Sequence, residues 1–293
     1  MIQDEHLFIE TELKNWKDFF LLDSMLHKQL IYRGQSNKEW NISSSLERLL
    51  ERIYPNYIDK ALICWQEEQM LEEFCWKYPL FRRKTIDDND YIEWLSIMQH
   101  YGSATRLVDF TESFFIAAHM AIYESSNDAC VWAVNKHIIG SYAFSLYQEK
   151  YSTNSASFKE LDKFSLELAN QKIEKSYSPT EKQLLIIRPK NSNERLYRQQ
   201  GLFVMPTNIK VPFMENLFSI VKTPKLFWDF RHLVKNSDSY TQSQFSVIKI
   251  NIPKEIHTQI LLNLRKMNIN SEILFPGIEG LAKSLNYSTF NDI

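Results

Sequence analysis

Apolar residues recur along this chain in two rhythms. In "SVIKINIP", Ile248, Ile250 and Ile252 alternate with Lys249 and Asn251, the period-two signature of a strand with one face in a core. "ACVWAVN", "QLLIIRP" and "LFVMP" are short apolar runs of strand type, and "QLIY" predicts a strand that ends at a turn at Arg33-Gly34. Helical spacing governs the other segments. "TELKNWKDFFLL" predicts a helix with Leu13, Trp16 and Phe20 on one stripe. "SSSLERLLERI" carries a capping box, Ser44 with Glu47 three residues on, ahead of Leu46, Leu49, Leu50 and Ile53. A long amphipathic helix follows, marked by Ile58, Leu62, Trp65, Phe74 and Tyr78.

"DNDYIEWLSIMQHYG" predicts a helix capped at Asp88 or Asn89 and stopped at Gly102. Glu112 to Tyr123 is apolar on nearly every face, hence a fully buried helix, with Asp109 or Thr111 as its cap. A helix around Phe158 to Leu168 and another over "KEIHTQILLNLRKMNI" come next. "PGIEGLAKSLN" starts a last helix near Pro276, with Ile278, Leu281 and Leu285 as its buried side. Helices dominate the N-terminal half and strands come mainly later. That order predicts an α+β fold with small mixed or antiparallel sheets. No repeat or linker divides the chain, so residues 1–293 are expected as one domain, with 1–29 a helical lead-in and 30–287 the core.

Composition sharpens this picture. A hydrophobic fraction of 44% with 24% charged residues fills a sizeable core, and 19 Phe, 14 Tyr and 7 Trp against only 6 Gly argue against disorder. The acidic "MIQDEHLFIE" has no apolar stretch of signal-peptide type. The longest uncharged apolar run, near Phe114 to Tyr123, is about half the ~20 residues of a membrane span. Three cysteines, Cys64, Cys75 and Cys130, have no metal-like spacing and read as buried thiols of a reducing cytoplasm.

The net charge of −2 hides an asymmetry. Residues 181–235 hold ten Lys/Arg against four Asp/Glu, whereas residues 51–95 hold six against ten. A local basic excess in a neutral chain points to an anionic ligand at one place.

Two polar knots carry the candidate chemistry. In "IYRGQSNKEW", Arg33 ends a strand beside Gly34, whose bare backbone can approach a ligand, with Gln35 and Trp40 adding an amide and an aromatic platform. A guanidinium suits phosphate through its planar fork of donors. In "MQHYGSATRLVDFTES", His100, Tyr101, Thr105, Arg106, Asp109 and Thr111 lie between two helices. Arg106 and Asp109 could pair there as a buried strut. The later "RLYRQQG" gathers Arg195, Arg198, Gln199, Gln200 and Gly201 into a donor-rich turn before a strand. No HExxH, P-loop, G-x-G-x-x-G or G-x-S-x-G is present, which disfavours a metalloprotease-type hydrolase, an NTPase, a Rossmann dehydrogenase and a serine hydrolase, and no metal is expected.

Four blocks, "IYRGQSNKEWNISSSLER", "MQHYGSATRLVDFTESFFIAAHMA", "RLYRQQGLFVMP" and "ILFPGIEGLAKSL", together resemble the FRG-domain family, in its order, from Ile31 to Leu285. The chain departs from the family pattern at Ala104 and Ser44, where Pro is usual, and at Phe110, where Trp is usual. A looser likeness is to the ADP-ribosyltransferase superfamily: a strand ending in Arg-Gly, a Thr/Ser segment leading into an Ala-rich helix, then a late acidic residue. That resemblance implies a split sheet, NAD as substrate, and Arg33, Arg106, Asp109 and Glu279 as the catalytic set. No Glu-x-Glu or Gln-x-Glu accompanies Glu279. Tyr32, Gly34, Gln35, His100, Tyr101, Thr105, Thr111 and Gln200 would then contact NAD, and Tyr32, Tyr101 or Phe110 would sandwich the nicotinamide.

Such chemistry needs donors for a pyrophosphate and a carboxylate beside a sugar carbon that becomes positive. The acceptor implied is RNA, DNA or protein, reached through the basic 181–235 region, in a cytoplasmic bacterial toxin–antitoxin or phage-defence setting with an antitoxin protein as partner. The rival from another class is a non-catalytic module that binds a nucleotide or nucleic acid.

Overall fold

The computed structural model describes residues 8–25, 29–54, 60–82, 86–179, 181–190, 194–221, 226–227 and 246–286. Its centre is a mixed eight-stranded sheet of order β5-β6-β3-β2-β4-β8-β1-β7. The strands are β1 (Ile9–Glu12), β2 (Leu30–Gln35), β3 (Val108–Thr111), β4 (Ala129–Asn135), β5 (Leu184–Ile187), β6 (Gly201–Pro206), β7 (Leu226–Phe227) and β8 (Val247–Ile252). Pairing is antiparallel from β5 through β8, while β1 runs parallel to both β8 and β7. An α+β fold with a mixed sheet is as expected. Separate small sheets are not what forms: the strands join edge to edge into one.

The helices are α1 (Trp16–Met25), α2 (Ser45–Ile53), α3 (Lys60–Lys77), α4 (Tyr91–His100), α5 (Phe114–Ile122), α6 (Lys136–Tyr151), α7 (Phe158–Glu174), α8 (Glu194–Arg198), α9 (Phe213–Ile220), α10 (His257–Lys266), α11 (Ser271–Leu274) and α12 (Ile278–Leu285). Strand alternation sorts the sheet's side chains into two faces. Cys130, Trp132 and Val134 of β4 join Val108 and Phe110 of β3 and Leu202 and Val204 of β6 in one core with α9. On the opposite face two cores lie side by side. Val131, Ala133, Ile248 and Ile250 pack with α1, α5 and α10. Phe203, Met205, Leu185 and Ile187 pack with residues of α3, α4, α6 and α7.

Several expectations fail for local reasons. Thr11 and Glu12 belong to β1, whose parallel pairing with β8 pulls this part of "TELKNWKDFFLL" out of the helix; the N-terminal segment is thus a sheet strand followed by α1. The cap of α4 is Asp90, one or two residues beyond the expected position. Ser113 caps α5, because Asp109 and Thr111 are drawn into β3, a strand the sequence pattern did not announce. Along α3 the buried side is Ile63, Cys64, Glu67 and Leu71, while Trp65 is exposed; Ile58 lies outside the described residues. The Ser44–Glu47 capping box forms as predicted.

Helix α12 is turned around. Ile278, Leu281 and Leu285, expected inside, are 84%, 46% and 59% exposed. Its buried residue is Gly280, where a Cβ would strike the carbonyl oxygens of Phe275 and Ser271, so close backbone packing against α11 sets the orientation.

Candidate functional site

Strands β2 and β3 meet at a single aligned position, Tyr32 opposite Thr111. By contrast β2 aligns with β4 along its whole length, from Leu30–Asn135 to Gln35–Cys130, and β3 aligns with β6 from Val108–Val204 to Thr111–Gly201. Past Tyr32 the two strands are without further aligned pairs, and Arg33 crosses the seam: its Nη1 donates to the carbonyl oxygen of Asp109 at 2.7 Å. Its Nε is buried with no hydrogen-bond partner among the described residues. Burial lowers the pKa of this guanidinium, Asp109 opposes that and nearby Arg48 adds to it, yet an arginine of this kind stays charged.

Above the seam the two helix layers part, and a cavity of about 250 Å³ opens between them. The sheet supplies its floor through Tyr32, Arg33, Gly34, Asp109, Thr111 and Phe203. Helix α5 supplies Ile116, Ala117 and Met120, α4 supplies Ser96, Gln99 and His100, and the α8 region supplies Arg195 and Gln199. Gly34 has a more specific duty than expected: a Cβ there would run into the carbonyl of Ala117 and the amide of Ala121. Its bare backbone lets the Ala-rich face of α5 lie directly on β2. A ligand's approach is therefore not the first reason for glycine at this position.

The side chains around the cavity are held from behind. Thr111 Oγ1 donates to Gln199 O at 2.7 Å and accepts from Ser113 N at 3.1 Å, tying β3 to the cap of α5 and to the turn after α8. Gln199 Nε2 donates to Leu274 O at 3.1 Å. The Arg195 guanidinium lies over the Phe275 ring, 5.1 Å from its centroid. Burial of Tyr32 raises its phenol pKa, with Asp23 adding to the effect. His100 is pushed below the usual imidazole range by partial burial, then by Arg195 and Arg82, so it is neutral near pH 7. The Asp109 side chain is exposed.

The expected residues thus divide. Tyr32, Arg33, Gly34, His100, Asp109 and Thr111 come together at the cavity, as does Phe110, although its ring is buried against Phe213. Others do not. Arg106 does not pair with Asp109: it is buried and forms a two-pronged ion pair with Glu67 of α3, Nε to Oε2 at 2.7 Å, with Nη2 also donating to Ser176 Oγ at 2.7 Å. The carboxylate that neutralises it comes from α3, which the local sequence cannot reveal. Thr105 is fully buried, and its backbone N–H donates to Ser45 Oγ at 2.9 Å, holding α2.

Gln35 accepts from Trp132 Nε1 at 2.9 Å on the other face of the sheet. Gln200 is in the left-handed region, φ 46°, and turns the chain into β6. Trp40 is exposed and does not line the cavity. Tyr101 lines a neighbouring groove. Glu279 also lies outside the cavity lining: it pairs with Lys283 at 3.0 Å, which lowers its carboxyl pKa, and its charge is felt by Arg195 and His100. Ser96, Gln99, Ile116 and Met120 were not anticipated; their spacing on helices is that of ordinary core positions.

From the basic 181–235 stretch, Arg195 and Gln199 reach the cavity, while Lys222, Lys225, Arg231 and Lys235 lie outside the described residues. Among the described residues no group of three His, Cys, Asp or Glu side chains could hold a metal ion, and no helix is long and apolar enough to cross a membrane.

The family model of the FRG domain matches residues 28–130. That stretch runs from β2 to the start of β4 and contains the seam, with α8 and β6 of the opposite wall beyond it. The match supports the FRG family for this part of the chain. No curated protein and no solved structure matches the chain.

Proposed function

We propose that the cavity binds NAD and that the chain is an NAD-consuming ADP-ribosyltransferase. The observation that carries this reading is the seam, where Arg33, within a strand that runs on to Gln35 instead of ending at Arg33-Gly34 as expected, stands beside the exposed carboxylate of Asp109 on a floor shared with Tyr32, with His100 and Arg195 on the walls. About 250 Å³ falls just below the roughly 300–1,000 Å³ of small-molecule sites, which suits the nicotinamide-ribose half with the rest of the dinucleotide along the open rim. The buried, unpartnered Nε of Arg33 favours an acceptor atom beside it, because an orphaned charged donor is costly.

In the reaction the bond between the ribose carbon and the nicotinamide nitrogen breaks, its electron pair leaving with nicotinamide, and an acceptor oxygen or nitrogen takes its place while losing a proton. Arg33 and Arg195 hold the phosphates. Asp109 faces the sugar carbon as positive charge grows there, the role a carboxylate plays in glycosidases. Glu279, outside the cavity lining and paired with Lys283 but near enough to Arg195 and His100 to feel their charge, is the second carboxylate. The likeness to FRG proteins suggests bacterial defence or toxin–antitoxin function, held in check by a partner protein.

Incubation with NAD labelled in the adenylate, together with RNA, DNA or lysate protein, tests this. Transfer of label supports the transferase reading. Nicotinamide release without transfer makes water the acceptor. Binding of NAD without cleavage would make the cavity a nucleotide sensor, and no binding at all overturns the reading.

A further inference from the structure

Three cavities of this molecule run into one another. The first, described above, shares Arg33, Gln99 and Asp109 with a second of about 140 Å³ that also touches Ser43, Ser45 and Arg48. The second shares Ser103 with a third, a groove of about 570 Å³ along α3 and the short 3-10 turn Tyr78–Leu80. That groove is built of rings and cations: Phe74, Tyr78, Phe81 and Tyr101 with Lys77 and Arg82.

Two of its rings are open to solvent, Phe81 at 79% and Tyr101 at 58% exposure, while Tyr78 is buried. The Arg82 guanidinium lies 6.0 Å from the Tyr101 ring centroid and donates to its hydroxyl at 2.9 Å. His100 continues the series inward, its ring edge-on to Tyr101 with centroids 4.9 Å apart, and it lines the first cavity. Across the three linings five cations, Arg33, Arg48, Lys77, Arg82 and Arg195, face two acids, Glu73 and Asp109. Glu73 is already paired with Lys77.

We infer that this groove binds single-stranded nucleic acid, with bases stacked on Phe81 and Tyr101 and the phosphates led past Arg82 and Arg48 toward Arg33. As the acceptor of ADP-ribose, the strand's role rests on the reading of the cavity given above; its binding does not. Exposed rings interleaved with cations are the recurring solution for single strands, because every base has a face to stack and every linkage a charge. A protein partner is the poorer fit, since Lys, Glu and Ser are depleted at the centre of protein interfaces and this groove is lined by Lys77, Glu73 and Ser103. The excess of cations also continues to the cavity instead of ending at the groove.

Fluorescence anisotropy with labelled single-stranded RNA and DNA 20-mers, in the absence of NAD, decides the matter. Wild-type chain is expected to bind, more weakly as salt rises. Tyr101→Ala and Phe81→Ala, both at exposed positions, are each expected to weaken binding about tenfold or more, with unchanged circular dichroism. No binding by the wild type, affinity unchanged in both variants, or a groove that captures only protein overturns the inference. Nicotinamide release, measured separately on the wild type, reports on the cavity alone: binding without release leaves the groove as a nucleic-acid site and removes the transferase.

Discussion

Arg33 and Asp109 face each other across the seam where β2 and β3 share a single aligned pair. The donor is a side chain, Nη1 of Arg33, and the acceptor is the backbone carbonyl of Asp109, 2.7 Å away. Because that bond uses the peptide group, the Asp109 carboxylate is left to the cavity. Arginine thereby stands in for a missing ladder bond and lines the cavity at the same time.

Arg33→Ala is expected to abolish NAD binding and turnover while costing about 1–3 kcal/mol of stability, the scale of one charged hydrogen bond lost at a partly buried site. Calorimetric NAD titration beside a thermal melt checks both parts. Normal NAD affinity in a folded variant would leave Arg33 as a seam strut alone.

Asp109→Asn and Glu279→Gln separate the two carboxylates. With Asp109 on the cavity floor, its amide variant should lose ~10²-fold or more in kcat with NAD binding kept, as for removal of one preorganised electrostatic group. Glu279→Gln should lose less than tenfold in NAD hydrolysis, its carboxylate being held by Lys283. The reverse order, read from steady-state kinetics, would return the main role to Glu279.

The Arg106–Glu67 pair is a matter of stability. Both side chains are nearly solvent-free, so either single change, Arg106→Met or Glu67→Leu, strands a buried partner and should cost about 3–5 kcal/mol. The double change Arg106→Met with Glu67→Leu should recover much of that loss. Urea unfolding of the four proteins closes the cycle.

Gly34→Ala should destabilise by ~1–3 kcal/mol or more, because the added methyl meets helix backbone that has no side-chain freedom to yield. A melt identical to wild type would show that α5 can ride higher on β2.

Acid should weaken the fold through His119. This side chain is buried on α5 beside Tyr123, with burial holding its pKa down to about 4. The unfolded chain takes up a proton near pH 6.5 that the folded chain refuses until about pH 4. Stability is therefore full above pH 6.5 and falls as pH drops through that window, by on the order of 3 kcal/mol in total. His119→Phe should flatten the dependence by up to ~1.4 kcal/mol per pH unit, read from urea midpoints between pH 4 and 7.

What the sequence determined by itself was whatever depends on neighbours along the chain. The alternation of Ile248, Ile250 and Ile252, the capping box of Ser44 and Glu47, and the all-apolar run of α5 each follow from a few adjacent residues, and each stands in the fold. The polar knots were legible for the same reason, down to Arg33, His100 and Asp109 at one cavity. Only tertiary structure could decide what depends on partners far away in sequence. β1 is a strand because β8, more than 200 residues on, offers it a parallel edge. Arg106 is structural because α3 brings Glu67 to it, and Gly280 turns the apolar side of α12 outward because backbone packing there outweighs burial of three side chains. The seam itself belongs to this second kind: how far two strands stay paired is set by the helices that press on each, and no local pattern in either strand records it.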